Sequence, residues 1–191
     1  QAMQARREHE QRPKGRKVRA VQGKPSRDSL LGYYLLPLPT IDPFIVVRSA
    51  AALDVYGPEF TYSHFAGLKT LTYTLGGVAA VVSLGVAAKI PPARSFLKSR
   101  VKQGTGPSVQ KRERSWFTVD FIGEGGGKRV HTQVSGGDPG YGETAKMLAE
   151  SAMSLAFDDN PRTSGQLTTV AAMGENLLRR LTDAGISFRV I

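Results

Sequence analysis

The chain has 191 residues, enough to bury a core, and its 40% hydrophobic and 22% charged residues are the composition of an ordinary globular protein. It has no cysteine, so a disulfide framework, a thiolate nucleophile and a Cys-based metal site are all excluded, and a reducing, cytoplasmic setting is the expectation. The formal charge of +10 is concentrated: residues 1–27 hold nine Lys/Arg against two Glu and residues 89–114 hold eight against one, so each block is +7 and the remainder is −4. That distribution argues against a uniformly basic nucleic-acid-binding protein.

No apolar core of a signal peptide opens the chain, and its first residue is Gln1, so the expectation is a piece of a longer polypeptide. Residues 1–12 are polar all round and helix-compatible. Residues 13–29, PKGRKVRAVQGKPSRDS, have the Pro, Gly and charge of a loop, so 1–29 is expected to be a basic linker. It has no interleaved aromatics for base stacking, and no nucleic-acid partner is expected.

The next run, LLGYYLLPLPTIDPFIVVRS, has prolines at 37, 39 and 43, which forbid a regular helix across it. Phe44–Val47 is expected to be a strand, with Ser49 capping a short helix over AAALD and Tyr56-Gly57-Pro58 forming a turn. FTYSHF, 60–65, alternates aromatic and polar positions as a half-buried strand does.

Leu71 to Ala88 is 18 residues without a charge, bracketed by Lys69 and Lys89 and followed by the second basic block. Two readings stand side by side. One is a buried core helix beside a solvated basic helix. The other makes 71–114 a membrane-contact segment, gripping an anionic membrane surface through its apolar and basic parts; a true span is the least favoured form, because 18 residues is the lower limit of length.

From Ser115 the pattern is cleaner. WFTVDFI, 116–122, and KRVHTQVS, 128–135, read as two strands joined by a GEGGG hairpin tip. A helix is expected from about Gly142 to Phe157, burying Ala145, Leu148, Ala152 and Leu155 and exposing Glu143, Lys146 and Glu150. DDNPRTSG is a loop. A second helix follows from about Thr169 to Ala184, apolar at Val170, Met173, Leu177 and Leu181, with Arg179 and Arg180 near its end and Gly185 placed to stop it. ISFRVI is the last strand. The expected fold class is α+β, an antiparallel sheet with packed helices, occupying 30–191.

The chemical signals are sparse. GEGGGK at 123–128 lacks the spacing of a P-loop, and GGDPGYG lacks the G-x-G-x-x-G order of a dinucleotide fingerprint. The second cluster does stand between a strand and a helix, where amides can receive an anion, so Gly137, Gly140 and Gly142 are its candidate cofactor-binding residues. The competing reading is a turn that uses glycine for positive φ and close backbone approach. His131 and Asp138 flank this turn as a candidate acid–base pair, and Tyr141 at the helix entrance is a candidate donor to a substrate oxygen. His9, His64 and His131 are too far apart for a paired-histidine metal motif, so no metal is expected.

Three blocks taken together, IVVRSAAALDVYGPEFTY, RSWFTVDFIGEGGGKRVHTQVSGGDPGYGETAKMLAESAM and LTTVAAMGENLLRRLTDAGISFRVI, resemble the C-terminal half of saccharopine dehydrogenase-like oxidoreductases, a family that includes the trans-acting enoyl reductases. The resemblance covers roughly 30–191. It implies the substrate and assembly part of a Rossmann-type oxidoreductase, with NAD(P) bound mainly by an N-terminal domain absent from this sequence, so that the segment alone is expected to be inactive. It also implies a lipid-linked or carrier-bound acyl substrate, enoyl reduction as the reaction, and a homodimer as an assembly. This sequence departs from the family in lacking the Rossmann glycine loop and in having Thr169 where the family commonly has proline. The alternative function is a non-catalytic adaptor on a lipid or membrane surface.

Overall fold

A computed structural model describes residues 15–100 and 106–191. The helix-compatible stretch at 1–12 lies outside the described residues. The chain divides into two compact units, one up to residue 105 and one from Gly106 to Ile191.

In the first unit, β1 (Lys17–Ala20) pairs with β4 (Glu59–Tyr62), and β3 (Tyr34–Pro37) is flanked by β2 (Ser26–Arg27) and β5 (Phe65–Leu68). The stretch expected to be a linker therefore contributes two strands. The β1–β4 pair is parallel, a departure from the all-antiparallel expectation, whereas β2–β3–β5 is antiparallel. Basic side chains explain part of this order. The Arg16 side chain, 13% exposed, donates to the carbonyls of Ala50, Leu53 and Gly57, each at 2.9 Å, and to Asp54 at 3.1 Å. It thereby satisfies carbonyl groups at the C-terminal end of the adjoining helix, which have no intrahelical donors.

That helix, α1 (Asp42–Ala52), corrects the strand expected at Phe44–Val47. Pro37 and Pro39 do exclude helix, but Pro43 sits in the first turn of α1, where a missing N–H costs nothing. Ser49 lies inside the helix and donates to the Ile45 carbonyl at 3.0 Å, so it is not a cap. Gly57, at φ 73°, makes the expected turn. The strand expected at 60–65 is two strands, β4 and β5, broken at Ser63-His64.

Leu71–Ala87 forms α2, started by the Thr70 hydroxyl accepting the Tyr73 N–H at 3.3 Å. Its described side chains are almost all exposed, with Leu75 at 63% and Leu84 at 57%. A buried core helix is therefore not what these residues form within the chain. The basic α3 (Pro91–Arg100) follows. Among the described residues no helix is long and apolar enough to cross a membrane.

The second unit begins with the short α4 (Val109–Glu113) and a hairpin of β6 (Phe117–Gly125) and β7 (Lys128–Gly136). Gly126 and Gly127, both at positive φ, form the two-residue turn, as the glycine-rich tip predicts. β8 (Ser187–Val190) joins the other side of β7, giving an antiparallel order β6–β7–β8. The helices are α5 (Gly142–Phe157) and α6 (Thr169–Asp183), the latter kinked at Gly174 and followed by Gly185 at φ 94°. The buried residues of this unit are Met173, Leu177 and Ile186 with Glu143, Ser154 and Thr168.

The packed face of α5 reverses the expectation. Leu148 and Leu155 are 72% and 62% exposed, and Ala145 and Ala152 are exposed too. Glu143, Lys146, Glu150 and Ser154 turn inward, because each finds a partner there. Glu143 meets Lys146 at 2.7 Å, Glu150 meets Arg180 at 3.3 Å, and the Ser154 carbonyl accepts from Asn160 at 2.7 Å. Arg180 also grips Asp158 through two nitrogens, at 2.7 and 2.9 Å. Polar satisfaction decided this face; apolar periodicity did not.

Candidate functional site

The β7–α5 loop brings Gly137, Asp138, Gly140, Tyr141 and Gly142 together. β7 delivers the chain at Gly136, where an added Cβ would stand 2.7 Å from the Phe117 ring, so a larger residue would have to displace that side chain. The glycines of this loop do not adopt positive φ, which corrects one half of the turn reading and leaves close approach as the reason for Gly136.

Asp138 is the hub. Its carboxylate accepts N–H groups from Gly142 at 3.0 Å, Tyr141 at 3.1 Å and Gly140 at 3.2 Å. These bonds, with the Gly142 N–H foremost and Arg112 adding charge, hold the Asp138 carboxyl below the usual carboxylate range. Gly137 donates its N–H to Glu143 Oε1 at 3.3 Å. The three candidate cofactor glycines thus present their amides to carboxylates of the chain itself. The loop has the amide geometry of an anion site, and its own side chains occupy it.

His131 is placed differently. Its Nε2 lies 2.9 Å from Asp120 Oδ1 on the neighbouring strand, and Gln133 donates to the same oxygen at 2.9 Å. A carboxylate can only accept, so Nε2 carries the hydrogen and Nδ1 is left as the basic nitrogen. His131 is therefore held by Asp120 rather than by Asp138. Both side chains are largely covered, at 16% and 19% exposure. Such a dyad can take up a proton at Nδ1 while the carboxylate orients the ring.

Tyr141 is half exposed, and the Arg112 guanidinium stands 5.8 Å from its ring centre. Arg112, Glu113, Ser115, Gly137, Asp138 and Gly142 line a shallow pocket of about 250 Å³ beside it. Its charges are one guanidinium and two carboxylates, and Arg112 Nε makes no hydrogen bond. Among the described residues no three His, Asp or Glu side chains converge as metal ligands.

Asp120, Gln133, Glu143 and Arg112 were not singled out by sequence. Two were within reach. With the hairpin tip at Gly126-Gly127, the register pairs Asp120 with Gln133 and Ile122 with His131, which places Asp120 diagonally across from His131 on one face. Nothing in the spacing of Arg112 marks it.

Several curated proteins similar to this chain are named trans-acting enoyl reductases. A Mycobacterium tuberculosis protein provisionally named a trans-acting enoyl reductase is 35% identical over 160 aligned residues, which take in 76% of this chain and 38% of that protein. The Mycobacterium ulcerans protein named trans-acting enoyl reductase is 33% identical, over 74% of this chain and 37% of its own length. The Mycobacterium bovis protein of the same name is likewise 33% identical over 74% of this chain. No family model and no solved structure matches. The chain spans less than two-fifths of the length of these relatives, and over that span it is similar to proteins named for enoyl reduction.

Proposed function

We propose that this chain is the substrate and assembly part of an NAD(P)-dependent enoyl reductase of the saccharopine dehydrogenase-like family, acting in lipid metabolism on a lipid-linked or carrier-bound acyl chain. The observation that carries this reading is the similarity to proteins named trans-acting enoyl reductase across three-quarters of the chain. The occupied amides of the β7–α5 loop support placing the nicotinamide on another part of a longer polypeptide, since Asp138 and Glu143 already fill the positions a phosphate would take. On this reading the Rossmann part delivers hydride to one carbon of the double bond, and a proton reaches the other. His131 held by Asp120 and Tyr141 beside Arg112 are the candidate proton donors on this chain.

The test is to purify the native polypeptide that contains this sequence and follow NADPH oxidation with an enoyl thioester carried on its acyl carrier. Substrate-dependent oxidation supports the reading. A polypeptide that binds neither NADPH nor NADH sinks it.

One observation favours a second reading, an adaptor that lies on a lipid surface. α2 presents exposed leucines and valines and is followed by the basic α3, a combination suited to the headgroup region of an anionic membrane. Flotation with vesicles containing phosphatidylserine, against vesicles of phosphatidylcholine alone, tests it; no flotation with either removes this reading.

A further inference from the structure

Asp120, Gln133 and Arg189 form one row across the sheet. Gln133 stands in register with Asp120 on β6 and with Arg189 on β8, so the three side chains share a face, and His131, two residues along β7, shares it too. The row is hydrogen-bonded from end to end. Arg189 Nη2 donates to Gln133 Oε1 at 3.0 Å, and Gln133 Nε2 donates to Asp120 Oδ1 at 2.9 Å. Its polarity has one solution. A guanidinium only donates and a carboxylate only accepts, so the amide between them turns its oxygen to Arg189 and its nitrogen to Asp120. His131 Nε2 meets the same oxygen, Oδ1, at 2.9 Å. Two donors from one strand thus pin a carboxylate whose terminal torsion is otherwise broad.

We propose that Gln133 and Arg189 are positioning residues for His131. Gln133 fixes the oxygen on which the imidazole hangs, and Arg189 fixes which end of the Gln133 amide faces that oxygen. Both act through Asp120. Held this way, the ring keeps its hydrogen on Nε2 and presents Nδ1, the nitrogen that takes up and returns a proton, in one orientation. A β-branched residue at 133 would serve the strand itself better than glutamine. The donor–acceptor order is what asks for an amide there. The meaning of this positioning for a reaction rests on the enoyl-reductase reading, whereas the hold on the ring does not.

The experiment follows exchange of the His131 ring N–H with water by NMR in the 191-residue chain, His131→Gln assigning the signal among its three histidines. Gln133→Met keeps the length of the side chain and removes the donor. It is expected to speed this exchange about three- to tenfold, the consequence of losing one hydrogen bond. Arg189→Met, at an exposed position, is expected to speed it about two- to threefold. The double variant should match Gln133→Met alone, because Arg189 then has nothing left to orient. Backbone amide exchange along β7 separates these effects from a loosened sheet, and Arg189→Met carries the test by itself if Gln133→Met loosens it. In the native polypeptide that contains this sequence, kcat with an enoyl thioester should fall in the same order while KM stays put. A ring proton indifferent to both variants overturns the proposal, and so do effects that multiply in the double variant. Unchanged kcat in an active polypeptide overturns it as well. A polypeptide without nicotinamide-dependent turnover removes the enoyl-reductase reading instead, and the ring proton then decides the positioning by itself.

Discussion

Asp138 and Gly142 stand in a carboxylate-to-amide bond of 3.0 Å that folds the loop back onto the helix it introduces. The side chain acts as a cap for α5 although two residues separate it from Tyr141, the residue at the cap position. Asp138→Ala should lower the melting temperature by about 2–4 °C, the usual consequence of losing one cap in a chain this long. Faster amide exchange at Gly140, Tyr141 and Gly142 checks the location. If these amides are as protected as before, Asp138 is not what holds them.

Acid should act first on α5 and α6. The Arg180 guanidinium, hydrogen-bonded to Asp158, holds that carboxyl at about 2, well below its usual value. A depressed folded-state pKa stabilises above the unfolded value and loses that contribution as pH falls. The window for Asp158 is therefore from about pH 4 down to about pH 2. Denaturant midpoints measured across it should fall for the native chain, and Asp158→Asn should flatten the slope while lowering stability at neutral pH.

Arg16→Ala removes the donor to three carbonyls around the end of α1. A cost of about 2–3 kcal/mol is expected, since a charged donor to covered carbonyls leaves them unanswered when it goes. Urea titration measures it. Arg16→Lys should recover only part, because a single ammonium cannot span all three acceptors.

Asp120→Ala leaves both His131 and Gln133 without their shared acceptor. We expect about 1–2 kcal/mol of lost stability by chemical denaturation. If the enoyl reductase reading holds, the same change also lowers turnover in the native polypeptide. Loss of stability alone assigns the dyad a structural role.

Leu75→Asp and Leu84→Asp place charge on exposed positions of α2. Stability of the free chain should change by less than about 0.5 kcal/mol, as exposed substitutions do. Vesicle flotation should be abolished if α2 is what touches lipid, and unchanged flotation would move the contact elsewhere.

The second unit was the more legible of the two. Its hairpin follows from a glycine tip between β-branched runs, and α5 begins and ends where the glycine and the Asp158 loop place it. Local signals decide such elements. α1 was misread because three prolines suggest three interruptions, whereas Pro43 is an initiator; nothing nearby distinguishes the two uses. The strand at Lys17–Ala20 exists through its distant partner at Glu59–Tyr62, and Arg16 has its role only because Ala50, Leu53 and Gly57 converge on it. The face of α5 reversed for a related reason. Apolar periodicity reports which side could be buried, and the ion pairs of Glu143 and Glu150 report which side the unit itself buries. Of the site residues, the glycine loop was legible as a joint, while the Asp120–His131 bond needed the register that only the hairpin supplies.

The parallel pairing of β1 with β4 also sets an order of events during synthesis. Lys17 emerges from the ribosome 42 residues before Glu59, the residue with which it pairs. Until then β1 has no ladder, whereas β2 and β3 can already meet. Closing so long a loop is slow and entropically costly compared with local pairing.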